Sequence, residues 1–183
     1  MSLRRTHLAF AAFLTLAAAC DDAIVDPGQS STLAAQDSAA LFQTDATTYR
    51  FTTTGYGTEG RLRATLVNRS GRTMYFVNCR GGTSLTLQRL DGQQWTRFWS
   101  PVLLMCLSAP ITVPDGGTHV FDILVFAGNA GSNYRPQFEG PLRTGLYRVI
   151  WHDAYFSYQD RLPWGEPVPE PLRVSNSFVI VAP

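Results

Sequence analysis

From about residue 49 onward, apolar and polar side chains alternate along the chain in short runs. In the segment RLRATLV, Leu62, Ala64 and Leu66 fall on one side of an extended backbone, and arginine and threonine fall on the other. In SLTLQRL, Leu85 and Leu87 repeat this pattern. A period of two is typical of a strand with one buried face. Each run therefore predicts a β-strand packed against a core.

Turn residues separate these runs. Asn68–Gly71 and Pro114–Gly117 combine Asn, Pro, Asp, Ser and Gly, which favour turns. The pair Asp91 and Gly92 lies between two alternating segments and predicts a tight hairpin. Further extended runs are YRFTTTGYG, TMYFVN, QWTRFW, THVFDILVF, TGLYRVIWH and RVSNSFVIV. About seven short strands, with no helical pattern after residue 48, predict an all-β fold, namely an antiparallel β-sandwich.

The first 19 residues have the pattern of a signal peptide. Two basic residues, Arg4 and Arg5, precede an apolar run from Leu8 to Leu16, and small residues follow before Cys20. This run is shorter than the roughly 20 residues that span a bilayer. Residues 20–47 are rich in Ala, Ser, Gln and Asp and predict a flexible tether. The folded domain is then expected at 48–183.

The segment LAAAC resembles the lipobox of bacterial lipoproteins. It has Ala17 where the usual lipobox has Leu, and Leu16 lies one position earlier. The resemblance implies that Cys20 is lipidated and becomes the first residue of the mature chain, in a cell-envelope lipoprotein that faces the periplasm or the cell exterior. Two or three acyl chains would hold the protein firmly, at about 0.8 kcal/mol per buried methylene. The alternative is an ordinary signal peptidase site after the run of alanines.

The charge pattern of the chain limits the class of partner that it can bind. The 15 basic residues are all Arg, they face 14 acidic residues, and no block of like charge occurs. This argues against a nucleic-acid partner, which needs a clustered basic surface.

If Cys20 carries lipid, Cys79 and Cys106 remain as a pair, and we predict a disulfide between them. Since His119 and His152 lie far apart and have no ligand spacing, we expect no metal and no cofactor.

The segment TGLYRV has the Gly-x-Tyr pattern of a tyrosine corner, with Gly145 and Tyr147 near the start of the penultimate strand. Together with the motifs around it, the chain from Tyr49 to Val181 resembles the bacterial immunoglobulin-like domains of small exported proteins and lipoproteins. The resemblance implies an Ig-like β-sandwich. The intersheet cysteines of antibody domains are absent, and Val149 occupies the place of the second one. No catalytic residue follows from this resemblance.

The sequence contains no convincing enzyme motif. His152 and Asp153 could form an acid–base pair, but strand alternation predicts that His152 is a surface group at a strand end. We therefore expect no enzymatic activity. The strongest candidate for binding is the long segment Asp153–Arg173, because loops on a rigid sandwich often carry function. Alternatively, its rings fold back to cover the sheet edge. Its aromatic side chains are Tyr155, Phe156, Tyr158 and Trp164.

The expected function is that of a non-enzymatic, lipid-anchored binding module that contacts a protein or glycan partner in the cell envelope. The alternative is an accessory envelope protein or an inhibitor-like protein. Some bacterial Ig-like folds of this size resemble protease inhibitors, which present a protruding loop to an active-site cleft. A second loop, Ala127–Pro141, contains Tyr134, Arg135 and Phe138 and is a weaker candidate surface.

Lipidation can be tested with Cys20→Ser. The variant is expected to lose its membrane anchor and the mass of the acyl chains, because the thioether-forming sulfur is gone. Detergent-phase partitioning and intact-protein mass spectrometry measure both effects. Mature Cys20→Ser protein that stays in the membrane with unchanged mass would contradict lipidation.

Overall fold

The computed structural model describes residues 37, 40–104, 106–133, 135–158 and 165–183. The described residues form strands and one short 3₁₀-helix, Glu170–Arg173. The strands are β1 (Phe42–Thr44), β2 (Thr48–Arg50), β3 (Thr52–Thr53), β4 (Gly57–Val67), β5 (Met74–Asn78), β6 (Leu85–Asp91), β7 (Gln94–Trp99), β8 (Ser108–Val113), β9 (Thr118–Gly128), β10 (Gly145–Trp151), β11 (Ala154–Tyr155) and β12 (Phe178–Val181).

These strands build three sheets. In the first sheet, β4 pairs with β1 and β3 along one side and with β9 along the other. The second sheet has the order β2-β12-β10-β6-β7, and the third has the order β11-β5-β8. All pairings between the strands are antiparallel except that of β2 with β12. The predicted all-β, largely antiparallel sandwich is confirmed, with more and shorter strands than expected.

The predicted alternation places the core where expected. Leu62, Ala64 and Leu66 on β4 are all buried, as are alternate residues of β9, which pairs with β4 over 11 positions. The predicted hairpin at Asp91 and Gly92 joins β6 to β7, and Gly92 takes a left-handed backbone with φ of 61°. The PDGG turn instead connects strands of two different sheets, β8 and β9.

Four buried aromatic rings connect the three sheets. Phe42 of β1 stacks on Trp151 of β10, with ring centroids 3.9 Å apart and planes 15° from parallel. Phe76 of β5 meets the edge of Phe42 at 6.0 Å, and Phe121 of β9 lies 5.3 Å from Trp151. Since each ring is 5% exposed or less, this cluster occupies the centre of the core.

The predicted boundary between tether and domain is wrong. The tether was expected to extend to residue 47, but Phe42–Thr44 forms β1 and pairs with β4. Thr44 also donates its backbone N–H to Asn176 at 2.7 Å, and Asp37 accepts a hydrogen bond from the Ser177 backbone at 2.8 Å. Sequence alone missed this strand because only one of its residues, Phe42, is fully buried. The signal peptide and Cys20 lie outside the described residues.

The run YRFTTTGYG contributes two strands instead of the single strand that was expected. Of these, β2 joins the second sheet and β3 joins the first. Buried Phe51 marks the crossing between them. Its ring lies against Gly60 of β4, where an added Cβ would come within 2.2 Å of the Phe51 side chain. Glycine is therefore required at position 60.

Phe42→Ala tests whether β1 belongs to the folded domain. Loss of the ring that stacks on Trp151 should lower the free energy of unfolding by about 3–5 kcal/mol, measured by urea denaturation. Gln43→Ala on the same strand is the control; its side chain is exposed, and its cost should be about 1 kcal/mol or less. Equal, small effects at both positions would show that the fold does not depend on β1.

Candidate functional site

The predicted tyrosine corner has its characteristic hydrogen bond. Tyr147 is fully buried, and its hydroxyl donates to the backbone carbonyl of Arg143 at 2.8 Å. Burial raises the pKa of this hydroxyl, so it remains a neutral donor. Gly145 begins β10, and Val149 packs in the core on the same face as Tyr147. These residues hold the fold together and present no reactive group to solvent.

The aromatic loop expected to bind a partner folds back onto the third sheet. Part of it, β11, pairs with β5. The Phe156 ring packs against the core and lies 4.2 Å below the guanidinium of Arg72. Arg72 also holds Glu166 through two hydrogen bonds of 2.8 Å each. Trp164 lies outside the described residues.

The other described rings of this loop are also engaged. Tyr158 stacks against Tyr75 of β5, with centroids 6.1 Å apart, and Tyr155 is half-buried beside Asp153. The described rings therefore cover the edge of the third sheet, as in the alternative interpretation of this segment. Phe138 of the second candidate loop is similarly occupied, because it stacks on buried Phe98 at 4.8 Å.

The predicted disulfide between Cys79 and Cys106 is confirmed. Cys79 is buried and lies at the end of β5, in a tight turn closed by two backbone hydrogen bonds with Gly82, of 2.8 and 3.2 Å. Arg80 and Gly81 within this turn both have left-handed backbones, with φ of 59° and 93°. Two successive positive φ values are typical of type I′ hairpin turns. The disulfide thus fastens exposed Cys106 to a rigid turn.

Sequence analysis missed an exposed apolar segment of the domain. Residues 100–107, which we call the Cys106 loop, join β7 to β8, and its described residues pair with no strand. Val102, Leu104 and Leu107 are 55%, 72% and 90% exposed. The run PVLLMCL contains no charge and no period-two alternation. An unpatterned apolar run beside a cysteine was the available signal.

Two cavities flank this loop. One, of about 290 Å³, lies beside β9 and is lined in part by Leu85, Trp99 and Leu103. The other, of about 370 Å³, is more polar and includes Thr86, Ser100 and His152 in its walls. The Cys106 loop contributes to both, because Pro101 and Leu103 line each of them.

His152 is exposed at the end of β10, as the alternation predicted. Its Nε2 lies 2.7 Å from the Thr86 hydroxyl, which in turn lies 3.0 Å from the Ser100 hydroxyl. Partial burial, and next the nearby charge of Arg173, lower the pKa of His152. Burial also lowers the pKa of His119, whose ring contacts Phe121 with centroids 4.6 Å apart.

The described residues contain no group of three or more His, Cys, Asp and Glu side chains that could hold a metal ion. In the same part of the chain, no helix is long and apolar enough to cross a membrane.

Comparison of the chain with protein-family models, with curated proteins and with solved structures gives no match.

The two lowered histidine pKa values predict a pH dependence of stability. Below the unfolded-state pKa of about 6.5, the unfolded chain binds protons more readily than the folded chain. The free energy of unfolding should therefore decrease as pH falls from about 7.5 to 5.5, measured by denaturation at several pH values. His119→Gln combined with His152→Gln should flatten this dependence; an unchanged slope in the double variant would contradict the assignment.

Proposed function

We propose that this chain is a lipid-anchored protein of the cell envelope whose Ig-like β-sandwich binds another protein and catalyses no reaction. The lipobox-like segment and Cys20 support the location. The Gly145 and Tyr147 pattern, with its hydrogen bond to Arg143, supports the Ig-like assignment. The Cys106 loop is the proposed contact surface.

The observation that carries this proposal is the exposure of apolar side chains in the Cys106 loop. Leu104 and Leu107 are 72% and 90% exposed, and Val102 beside them is more than half exposed. Several strongly exposed apolar side chains within one short loop are unlike the scattered single ones of an ordinary surface and favour an interaction site. The disulfide to Cys79 restricts the loop, so less conformational entropy is lost when a partner binds.

The chemistry of the surface favours a protein partner over a glycan. Sugar recognition commonly relies on exposed aromatic faces, but Phe156 and Tyr158 pack against Arg72 and Tyr75. The Cys106 loop offers aliphatic side chains, which suit apolar pockets on a protein. We therefore expect the partner to present an apolar pocket or groove.

A specific observation also favours the inhibitor-like alternative. The Cys106 loop has exposed side chains at Val102, Leu104 and Leu107, is anchored at Cys106 and is flanked by β7 and β8. A restrained loop with protruding leucines could occupy the substrate cleft of a protease that prefers apolar side chains. In that case the bound protein is a protease, and the same loop makes the contact.

Leu104→Ser combined with Leu107→Ser tests the proposed surface. The mature chain is cross-linked in envelope extracts, and partner recovery is measured by quantitative mass spectrometry. Recovery should fall about tenfold or more, because about 1.5–3 kcal/mol of burial is lost for each leucine that is fully covered. Tyr56→Ser is the matched control, since Tyr56 is 70% exposed outside this loop. Equal recovery with both variants would exclude the Cys106 loop as the surface.

The inhibitor alternative is decided with purified secreted proteases of several mechanistic classes. Inhibition that is lost in the Leu104→Ser and Leu107→Ser double variant would support it. Recovery of a partner without inhibition of any protease would instead support the interpretation as a binding module.

A further inference from the structure

Among the described strands, β4 pairs with one side of β9 and none pairs with its other side. The pairing with β4 runs from Thr118 to Gly128. The carbonyl of Phe126 accepts a hydrogen bond from Trp99 Nε1 at 2.8 Å, and the N–H of Gly128 donates to Pro136 at 3.2 Å. Neither partner belongs to β4. Backbone groups alternate sides along an antiparallel strand, so the even-numbered residues of β9 direct their backbone groups away from β4.

Three of these even-numbered residues remain open. For Val120, Asp122 and Leu124, the described part of the chain supplies no hydrogen-bond partner to the backbone N–H or C=O. The Trp99 indole closes the edge at Phe126. The open stretch therefore spans five residues, about 17 Å of extended chain.

A cavity lies alongside this open stretch. It has a volume of about 290 Å³, and residues 119–124 of β9 form one of its walls. Its opposite wall is largely apolar and includes Leu85, Trp99, Pro101 and Leu103, with two glycines at positions 81 and 82. Space next to unpaired backbone groups is what an added strand requires. The side chains of an added strand that point toward the core would meet apolar surface.

The outward side chains of the edge define what it would accept. Val120 and Leu124 are 42% and 47% exposed, and Asp122 between them is 69% exposed. Asp122 Oδ1 accepts a hydrogen bond from Arg63 at 2.9 Å, and Oδ2 has no partner among the described residues. A residue directly opposite on an added strand would lie within about 5 Å, where opposite charges stabilise the pair.

We propose that residues 120–124 of β9 bind an extended peptide segment of a partner protein by β-strand addition. The segment carries a basic residue opposite Asp122 and apolar residues opposite Val120 and Leu124. The unpaired backbone groups supply the main-chain hydrogen bonds of this binding mode, and the charge of Asp122 sets the register.

A second copy of this chain is the less suitable occupant. Antiparallel pairing of two β9 edges centred on Asp122 would place the two Asp122 carboxylates opposite each other, and like charges directly opposite are destabilising. A shift of two residues is the smallest that keeps the open backbone groups of both edges facing each other, and it would place Asp122 opposite apolar Val120 or Leu124. A charge in the middle of an exposed edge is a common protection against self-association.

Amide hydrogen exchange of the full mature protein tests the edge. In the free protein, the amides of Val120, Asp122 and Leu124 should exchange much faster than those of Phe121 and Ile123, which face β4. The probe is a capped peptide of sequence Thr-Val-Val-Arg-Val-Val-Thr. Its addition should slow exchange at the three open amides about tenfold or more and change the fluorescence of Trp99, which lines the cavity.

Reversing the charge of either partner tests whether Asp122 recognises the basic residue of the peptide. Replacing the central Arg of the peptide by Glu should weaken binding about fivefold, and Asp122→Lys should reverse this preference. Asp115→Lys makes the same change of charge in the exposed turn before β9 and should keep the preference for Arg. A second variant, Val120→Pro, removes one open backbone donor, so it should weaken the binding of both peptides. The variant should still fold, because proline is tolerated where the N–H faces away from the sheet.

Three results would overturn the proposal. The first is no protection of the three amides by the peptide. The second is protection in the free protein that grows with protein concentration, together with a dimer in sedimentation, which would identify a second copy as the occupant. The third is an unchanged peptide preference in Asp122→Lys. Substitution of Leu104 and Leu107 leaves the backbone of β9 intact, so the proposed function of the Cys106 loop can fail separately.

Discussion

The stacking of Phe42 on Trp151 is the contact on which the rest of the domain depends. Phe42 lies on the first strand of one sheet and Trp151 at the end of the central strand of another. Phe76 and Phe121 complete a cluster in which rings from all three sheets meet. Buried aromatic rings contribute large apolar areas and prefer specific geometries. The cluster therefore fixes both the spacing of the sheets and their relative orientation.

Packing around this core also determines which surfaces can contact other molecules. The aromatic loop after β10 covers the third sheet. Arg72 holds the loop there, since its guanidinium lies over the Phe156 ring and pairs with the Glu166 carboxylate. In the part of the chain that the structure describes, nothing comparable covers Leu104 and Leu107 of the Cys106 loop. The disulfide fastens it at Cys106 to the turn that follows β5. Exposed apolar side chains on a restrained segment and an open strand edge beside it make this side of the sandwich the best candidate for contact with other molecules.

Much of the fold could be predicted from local sequence patterns. Alternation in RLRATLV and TGLYRVIWH identified the buried faces of β4 and β10, and a count of cysteines identified the disulfide. The strands β1, β8 and β11 could not be predicted, because each has a single buried residue and shows no period of two. Phe42 illustrates the reason: a three-residue strand contains too few positions for a period of two to be visible. The exposure of Leu104 and Leu107 was also not predicted, since an apolar run usually indicates burial.

The parallel pairing of β2 with β12 has a consequence for how the domain forms. Residues near 50 find their sheet neighbours only near residue 180, and Thr44 relies on Asn176 in the same way. β2 therefore stays without its sheet partner until β12 arrives, whereas β1 and β3 pair with β4. Contacts of such long sequence separation make folding slow. Completion of the second sheet is therefore a late event, and loss of β12 would release β2 as well.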